Sequence, residues 1–186
     1  MKKIKLLIIA LFIGFIINTN GQHNFKVSST LNVSANIVSA TSINTDKAMS
    51  FGGLRVLSTE AATVKLRPTD SVREFSSQTA VLGINESDNM GLAAIFTVHG
   101  EPSTNYKVSL LDNSIEINTA AIGSNKTMTV NNFTLSFDNT NVASDLTQQL
   151  SNDGISKFTV GATLNIGVSQ TRGDYIGCFS IAIDYE

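Results

Sequence analysis

Alternation between apolar and polar residues recurs along most of the chain and restricts the fold more than any other feature. In the stretch FKVSSTLNVSANI, from Phe25 to Ile37, the apolar residues fall on nearly every second position. Successive side chains of a strand point to opposite faces, so this spacing predicts a strand with one buried face. Comparable runs follow, separated by stretches such as RPTD, GEPSTN, LDNS and SNDG, which favour turns.

Many short strands separated by turns predict an antiparallel β-sandwich or barrel, and no βαβ rhythm appears. The run from Phe25 to Ile37 is about twice the usual strand length. It therefore either bends from one sheet to the other or begins with a part, residues 22–30, that is not fixed within its own domain. One spacing favours a short helical turn instead, because Val142, Leu146 and Leu150 lie four apart.

The first 21 residues have the order of a secretory signal peptide. Lys2, Lys3 and Lys5 precede the uncharged run LLIIALFIGFII, which is followed by the small and polar NTNG. This run is shorter than the roughly 20 apolar residues of a transmembrane helix. We predict cleavage after Gly21 and export through the inner membrane to the periplasm, the cell surface or the medium. Residues 22–186 then form a single β-sandwich domain, with residues 22–30 as an N-terminal extension.

The charge balance argues against nucleic acid and anionic membrane surfaces as partners. Removing the signal peptide leaves ten Lys and Arg against 15 Asp and Glu, a net charge of −5. Binding to phosphate-rich partners needs a basic patch that releases counterions, and the sequence contains no run of Lys and Arg. A single cysteine, Cys178, cannot form an internal disulfide. We expect it to be packed as a small residue in a strand, with an intermolecular thiol as the alternative.

The residue types of an active site or metal site do not converge in this sequence. Nothing flanks His99 as a catalytic triad requires, so we expect an exposed histidine in a strand. His23, His99 and Cys178 are far apart and lack the paired spacing of zinc ligands. The acidic stretches NESD and SNDG lack the spacing of a calcium loop and are predicted to be solvated turns. We expect no enzymatic activity and no cofactor.

The chain ends in a strongly alternating stretch, GDYIGCFSIAIDYE, from Gly173 to Glu186. In steps of two, its apolar face carries Tyr175, Phe179, Ile181, Ile183 and Tyr185. Most termini are loose unless they are tied into a sheet. We therefore predict that this strand is held either by its own domain or by a partner.

Three stretches resemble one known family. MSFGGL, AIFTVHGEPSTNYKVSL and VGATLNIGVSQTRGDYIGCFSIAIDY are similar to the exported bacterial family called domain of unknown function 4402. That family typically ends in Gly-x-Tyr-x-Gly, an alternating strand and a closing Tyr. The resemblance covers nearly the whole mature chain, and it implies export without implying any activity.

The same ending is more distantly similar to fimbrial subunits of the chaperone-usher kind, which have an aromatic next to last and a Gly at the fourteenth position from the end. Tyr185 and Gly173 hold those two places. This resemblance implies an immunoglobulin-like sandwich, here of about nine or ten strands, that lacks its last strand. It also implies that a chaperone, and then the N-terminal extension of the next subunit, pairs along the open edge. The alternative is a closed sandwich whose last strand pairs with its own neighbours.

The function that follows from this resemblance is a non-enzymatic, pilin-like structural or adhesive surface subunit. Its partners are expected to be identical or related subunits and an export chaperone. Phe25, Val27 and Leu31 would form the donor segment, and the predicted assembly strand comprises Gly173, Tyr175, Phe179, Ile181, Ile183 and Tyr185. The alternative function is a monomeric secreted module that recognises a glycan or a protein through its loops.

Overall fold

Most of the strands lie where the alternating pattern predicts them, and turn residues separate them. The computed structural model describes residues 41–56, 60–77, 81–83, 90–137, 140–142 and 145–185. No helix in this part of the chain is long and apolar enough to cross a membrane. The described residues form fourteen β-strands: β1 Ser42–Lys47, β2 Leu54–Val56, β3 Ala62–Leu66, β4 Arg73–Phe75, β5 Val81–Gly83, β6 Ala94–His99, β7 Asn105–Leu110, β8 Ser114–Thr119, β9 Thr127–Phe137, β10 Thr140–Val142, β11 Asp145–Gln149, β12 Ile155–Ile166, β13 Tyr175–Ile176 and β14 Ile181–Tyr185.

The long strand β12 organises the larger of the sheets. On one side it pairs antiparallel with β9 along most of its length. On the other side it pairs with β6 through residues 155–160 and with β3 through residues 162–166. Gly161 lies between these two partners, where a Cβ atom would collide with the carbonyl oxygen of Leu66. A single strand therefore joins the two halves of the sheet.

The larger sheet has nine strands and follows the order β1-β6-β12-β9-β8-β13. In addition, β10 pairs with β9, β3 pairs with β12, and β4 pairs with β3. A second sheet has the order β11-β7-β14, and β2 pairs with β5 in a small third sheet. All of these pairings are antiparallel.

This topology matches the immunoglobulin sandwich. In the constant type of that fold, strands A, B, E and D form one sheet and strands C, F and G form the other. Here β1-β6-β12-β9 has the order A-B-E-D, and β7 and β14 pair as C and F do. Within the described residues, no strand pairs with the other edge of β14, which is the position of strand G.

An aromatic cluster fills the space between the two sheets. Phe158 of β12 stacks on Phe96 with 5.1 Å between ring centroids, and it lies 5.5 Å from Phe137. Burial of such side chains is the main favourable contribution to folding. Aliphatic residues complete the core, and those that are fully buried include Leu66, Leu135, Leu150, Val64, Val81, Val98, Val108 and Val160.

The predicted all-β, antiparallel sandwich is confirmed. Where the sequence pattern predicts about nine or ten strands, nine of the fourteen observed strands have five or more residues. The five others have two or three residues each. Segments this short form because a neighbouring strand offers free hydrogen-bonding groups.

The helical turn predicted from Val142, Leu146 and Leu150 is wrong. This region contains β10, which pairs with β9, and β11, which pairs with β7. A spacing of four residues is even, so it also puts side chains on one face of a strand. Pairing with edges already present in the fold decides between the two structures. The long strand predicted from Phe25 to Ile37 lies outside the described residues.

Truncating the centre of the aromatic cluster should strongly destabilise the fold. Phe158 is 1% exposed, so we expect Phe158→Ala to lower the free energy of unfolding by about 3–5 kcal/mol because it removes contacts and leaves a cavity. Ile155→Ala on the same strand is the matched control, since Ile155 is 39% exposed and should cost less than about 1 kcal/mol. Urea unfolding measures both, and equal losses would contradict this view of the core.

Candidate functional site

The predicted assembly strand is divided between the two sheets. Tyr175 and Ile176, which form β13, pair with β8 of the larger sheet, and residues 181–185, which form β14, pair with β7 of the second sheet. The prediction of one continuous strand is therefore wrong for residues 177–180, which cross between the sheets. The alternation largely persists: Tyr175, Phe179, Ile181, Ile183 and Tyr185 are half-buried while Ile176, Cys178, Ser180 and Asp184 are exposed. Gly177, which is exposed, and Ala182, which is half-buried, depart from it.

Tyr175 fixes the start of this C-terminal segment, residues 173–185, against two loops. Its hydroxyl donates a hydrogen bond of 2.6 Å to the carbonyl oxygen of Thr171. The Gln170 side-chain amide donates to the Tyr175 hydroxyl at 2.9 Å and to the carbonyl oxygen of Asn125 at 2.8 Å. The backbone N–H of Thr171 also donates to the Asn125 carbonyl. These bonds tie the loop before β9 to the loop after β12.

The two glycines of the Gly-x-Tyr-x-Gly motif lie where a side chain would not fit. Gly173 has a φ of +153°, and a Cβ atom there would overlap the side chain of Thr119. At Gly177 a Cβ atom would lie 2.8 Å from the carbonyl oxygen of Glu116 and 2.6 Å from Cγ2 of Ile117. The motif therefore lets the chain run close to β8 before it leaves that sheet.

Asp112 and Phe179 mark the place where the segment changes sheets. The backbone N–H of Ser180 donates to the Asp112 carboxylate at 2.6 Å, and the N–H of Leu111 donates to the Ser180 carbonyl oxygen at 3.1 Å. Phe179 stacks on Phe133 at 5.2 Å and meets Phe96 edge-on at 6.3 Å. The segment is thus anchored in the core at its midpoint.

Beyond this crossing, β14 presents an apolar face to the core, and along one of its edges no described strand pairs with it. Ile181, Ile183 and Tyr185 pack against the core cluster but stay half-buried. The Tyr185 ring lies 6.2 Å from that of Tyr106, and its hydroxyl donates to the carbonyl oxygen of His99 at 3.4 Å. Partial burial raises the pKa of the Tyr185 phenol, and a hydrogen bond with Thr41 opposes that rise. Among the described strands, only β7 pairs with β14.

The expected donor residues, Phe25, Val27 and Leu31, lie outside the described residues. Their role in assembly, like that of the C-terminal residues, stays a prediction. Sequence reasoning missed Gln170, Asn125 and Asp112, which hold the C-terminal segment in place. No sequence signal identifies them, because each acts on a residue that only the fold brings close; Asp112 and Ser180, for example, are 68 positions apart.

The residues considered for chemistry lie apart from one another. His99 is the last residue of β6 and is half-buried. The expectation that it lies in a strand is confirmed, and the expectation that its side chain is exposed is wrong. Cys178 is exposed and lies outside the strands, so the prediction of a packed thiol is wrong. The crossing between the sheets turns it away from the core. Within the ranges that the structure describes, no three His, Cys, Asp or Glu side chains come together as metal ligands would.

A family model described as "Domain of unknown function (DUF4402)" matches residues 41–185, well over half of the chain. The chain belongs to the DUF4402 family. The match ends with β14, so the whole C-terminal segment, with its glycines, Tyr175 and the crossing to the second sheet, is part of the DUF4402 domain. A search of curated proteins finds no match.

Adding a methyl group at Gly177 should disturb the path of the DUF4402 C-terminal segment. We expect Gly177→Ala to lower the free energy of unfolding by about 1–3 kcal/mol, because the new Cβ atom meets the backbone of β8. Gly167→Ala is the control, since only the end of the Gln170 side chain lies near its Cβ position. Chemical denaturation measures the losses, and a Gly177 variant as stable as the control would refute the close approach.

Removing the Tyr175 hydroxyl should loosen the connection between the two loops. Tyr175→Phe loses its bond to Thr171 and leaves the Gln170 amide with one acceptor fewer. We expect a loss of about 1–2 kcal/mol in the free energy of unfolding and faster amide hydrogen exchange at Thr171. Ile176→Ala changes the neighbouring side chain, which is 76% exposed, and it should leave both measurements nearly unchanged.

Proposed function

We propose that this DUF4402 protein is an exported, non-enzymatic structural or adhesive surface subunit that assembles by strand complementation, as pilins do. The observation that carries the proposal is the edge of β14 along which no described strand pairs. This strand occupies the place of strand F in an immunoglobulin sandwich, and the described residues supply no strand in the place of G. A strand added at such an edge gains main-chain hydrogen bonds, and its alternate side chains fill pockets in the core.

The burial pattern of β14 supports the proposal. Ile181, Ile183 and Tyr185 face the core but are only half-buried, so an additional strand beside them would remove more apolar surface from water. A free edge next to an apolar face is also an aggregation hazard. An export chaperone that covers the edge until assembly is therefore part of the proposal, together with identical or related subunits as the final partners.

The signal peptide pattern of residues 1–21 supports export through the inner membrane, and the proposed location is the periplasm, the cell surface or the medium. The donor segment follows in the sequence, with Phe25, Val27 and Leu31 on alternate positions. Those three side chains would enter the core beside β14, because only every second residue of an added strand faces the sandwich.

A second candidate is a monomeric module that binds a glycan or a protein through its loops. One observation favours it: Ile122, Val168 and Ile176 are 100%, 52% and 76% exposed, and they lie in or beside the loops that flank β13. An open cleft of about 380 Å³ lies between the same loops, lined by Asn125, Gln170 and their neighbours. Exposed apolar side chains near such a cleft are typical of an interaction surface.

Substitution of the donor residues tests the first candidate against the second. The native protein should run as a ladder on an unheated denaturing gel and as one band after boiling. The triple variant Phe25→Ser, Val27→Ser, Leu31→Ser should lose the ladder and keep its near-UV circular dichroism, because in this proposal the donor side chains fill the core of the next subunit and not that of their own. Lys26→Ser with Thr30→Ala changes the opposite face of the same segment and should keep the ladder.

A single monomer band in both lanes, with a monomeric native mass, would contradict the proposed subunit. It would favour the loop-binding module. A ladder that persists in the triple variant would show that assembly uses another surface.

A further inference from the structure

The loop between β12 and β13 carries two charged side chains of opposite sign on either side of a glycine. Its residues Arg172, Gly173 and Asp174 are all exposed. Among the described residues, neither the Arg172 guanidinium nor the Asp174 carboxylate has a hydrogen bond or an ion pair. Their Cα atoms lie within about 7 Å of each other, since two residues span no more than that. Both charged groups can therefore meet a partner at one place on the surface.

Hydrogen bonds fix this loop at both of its ends. The backbone N–H of Thr171 donates to the carbonyl oxygen of Asn125 at 2.9 Å. The Tyr175 hydroxyl donates to the carbonyl oxygen of Thr171 at 2.6 Å, and this bond closes a ring around the three residues between them. From Tyr175 onward the chain pairs with β8. A loop that is already fixed loses less conformational entropy on binding than a flexible segment of the same sequence.

Gly173 explains why the charged residues on either side of it are the accessible part of the loop. Its φ of +153° is one that residues with a Cβ atom rarely adopt. A Cβ atom at this position would overlap the Thr119 side chain and lie 3.0 Å from Cβ of Ala121. The centre of the loop is thus packed against the end of β8, which leaves Arg172 and Asp174 in the solvent.

Exposed apolar side chains lie next to the charged pair. Ile176 comes two positions after Asp174, on the same face of the extended chain, and is largely exposed. Ile122 is fully exposed and lies close to the loop, because its neighbour Gly123 packs against the Thr171 side chain. A protein that covered these apolar side chains would exclude water from the charged pair and strengthen its interactions. The patch therefore favours a protein as the partner.

The partner must present an opposite charge to each of the two side chains. A guanidinium binds best to a carboxylate, which it contacts through two parallel hydrogen bonds. A lysine or arginine that met the Asp174 carboxylate would form a surface salt bridge, which contributes little to affinity. A divalent cation with an open coordination position instead takes a carboxylate oxygen as a direct ligand. Because so few groups must provide the affinity, the metal ion is the favoured contact of Asp174.

We infer that this loop is an adhesive site for a protein that holds a divalent cation, with Asp174 as the incoming ligand of the metal and Arg172 in an acidic pocket beside it. The inference goes beyond the proposed function, because the loop is separate from the edge of β14 and its binding does not require assembly. An assembled structure would present many copies of the loop, so weak single contacts would add up to strong attachment.

Binding of a purified integrin ectodomain tests the inference, because the ligand site of this adhesion receptor holds a divalent cation. With the full mature chain immobilised, surface plasmon resonance in the presence of Mn²⁺ should show binding that EDTA abolishes. Asp174→Glu keeps the charge but moves the carboxylate by one methylene group, and Arg172→Gln removes the guanidinium. Each should lower the affinity by about tenfold or more, as loss of one member of a desolvated charge pair does.

Two matched variants control for charge alone. Arg55→Gln and Glu101→Gln remove exposed charges of the same signs elsewhere on the domain, and both should bind as the native chain does. All four variants should keep the native near-UV circular dichroism and the native band pattern on unheated gels, since the loop lies apart from the assembly edge.

Binding that survives EDTA, or that Asp174→Glu leaves unchanged, would overturn the metal contact. Equal losses in the two control variants would show general charge attraction and would overturn the site, as would a native chain that does not bind the ectodomain. None of these results changes the ladder on unheated gels, so failure of this inference is distinguishable from failure of the proposed subunit.

Discussion

Pairing of β12 on both of its edges is the interaction on which the rest of the structure depends. This strand contacts β9 on one side and β6 and β3 in turn on the other, so it holds both halves of the larger sheet in one layer. Its buried side chains, with Phe158 at the centre of the aromatic cluster, form one side of the core. The second sheet packs against this side, and a hydrogen bond of 2.7 Å from the Tyr106 hydroxyl to the Ser156 side chain joins the two sheets.

The C-terminal segment closes the sandwich because it belongs to both sheets. It begins beside β8, crosses at residues 177–180 and ends beside β7. Phe179 enters the core at the crossing, and Asp112 accepts the backbone N–H of Ser180 that the change of sheet would otherwise leave unpaired. The Gly-x-Tyr-x-Gly motif of this DUF4402 domain therefore has a structural explanation: two close approaches to β8 and one tyrosine that joins two loops.

The C-terminal segment that closes the sandwich also forms one edge of the second sheet, at β14. Among the described strands, β14 pairs with β7 alone, and the apolar face beside its other edge is half-buried. The sequence also offers a segment of suitable pattern, with Phe25, Val27 and Leu31 on alternate positions. The proposed complementation by a second copy would use both features. The loops around β13, with their exposed apolar side chains, are the other surface suited to a partner.

The amino-acid sequence by itself determined the fold class, most strand positions and the row of half-buried residues from Tyr175 to Tyr185, because alternation is a local property of neighbouring residues. Its local signals failed at residues 142–150, since a spacing of four fits a helix and a strand equally, and at Cys178, since burial depends on the path of the chain. Only the tertiary structure decided that the C-terminal strand changes sheets, that Asp112, Gln170 and Asn125 support it, and that β14 pairs with β7 alone among the described strands. These features depend on residues that are distant in sequence, and the packing of the two sheets brings them together.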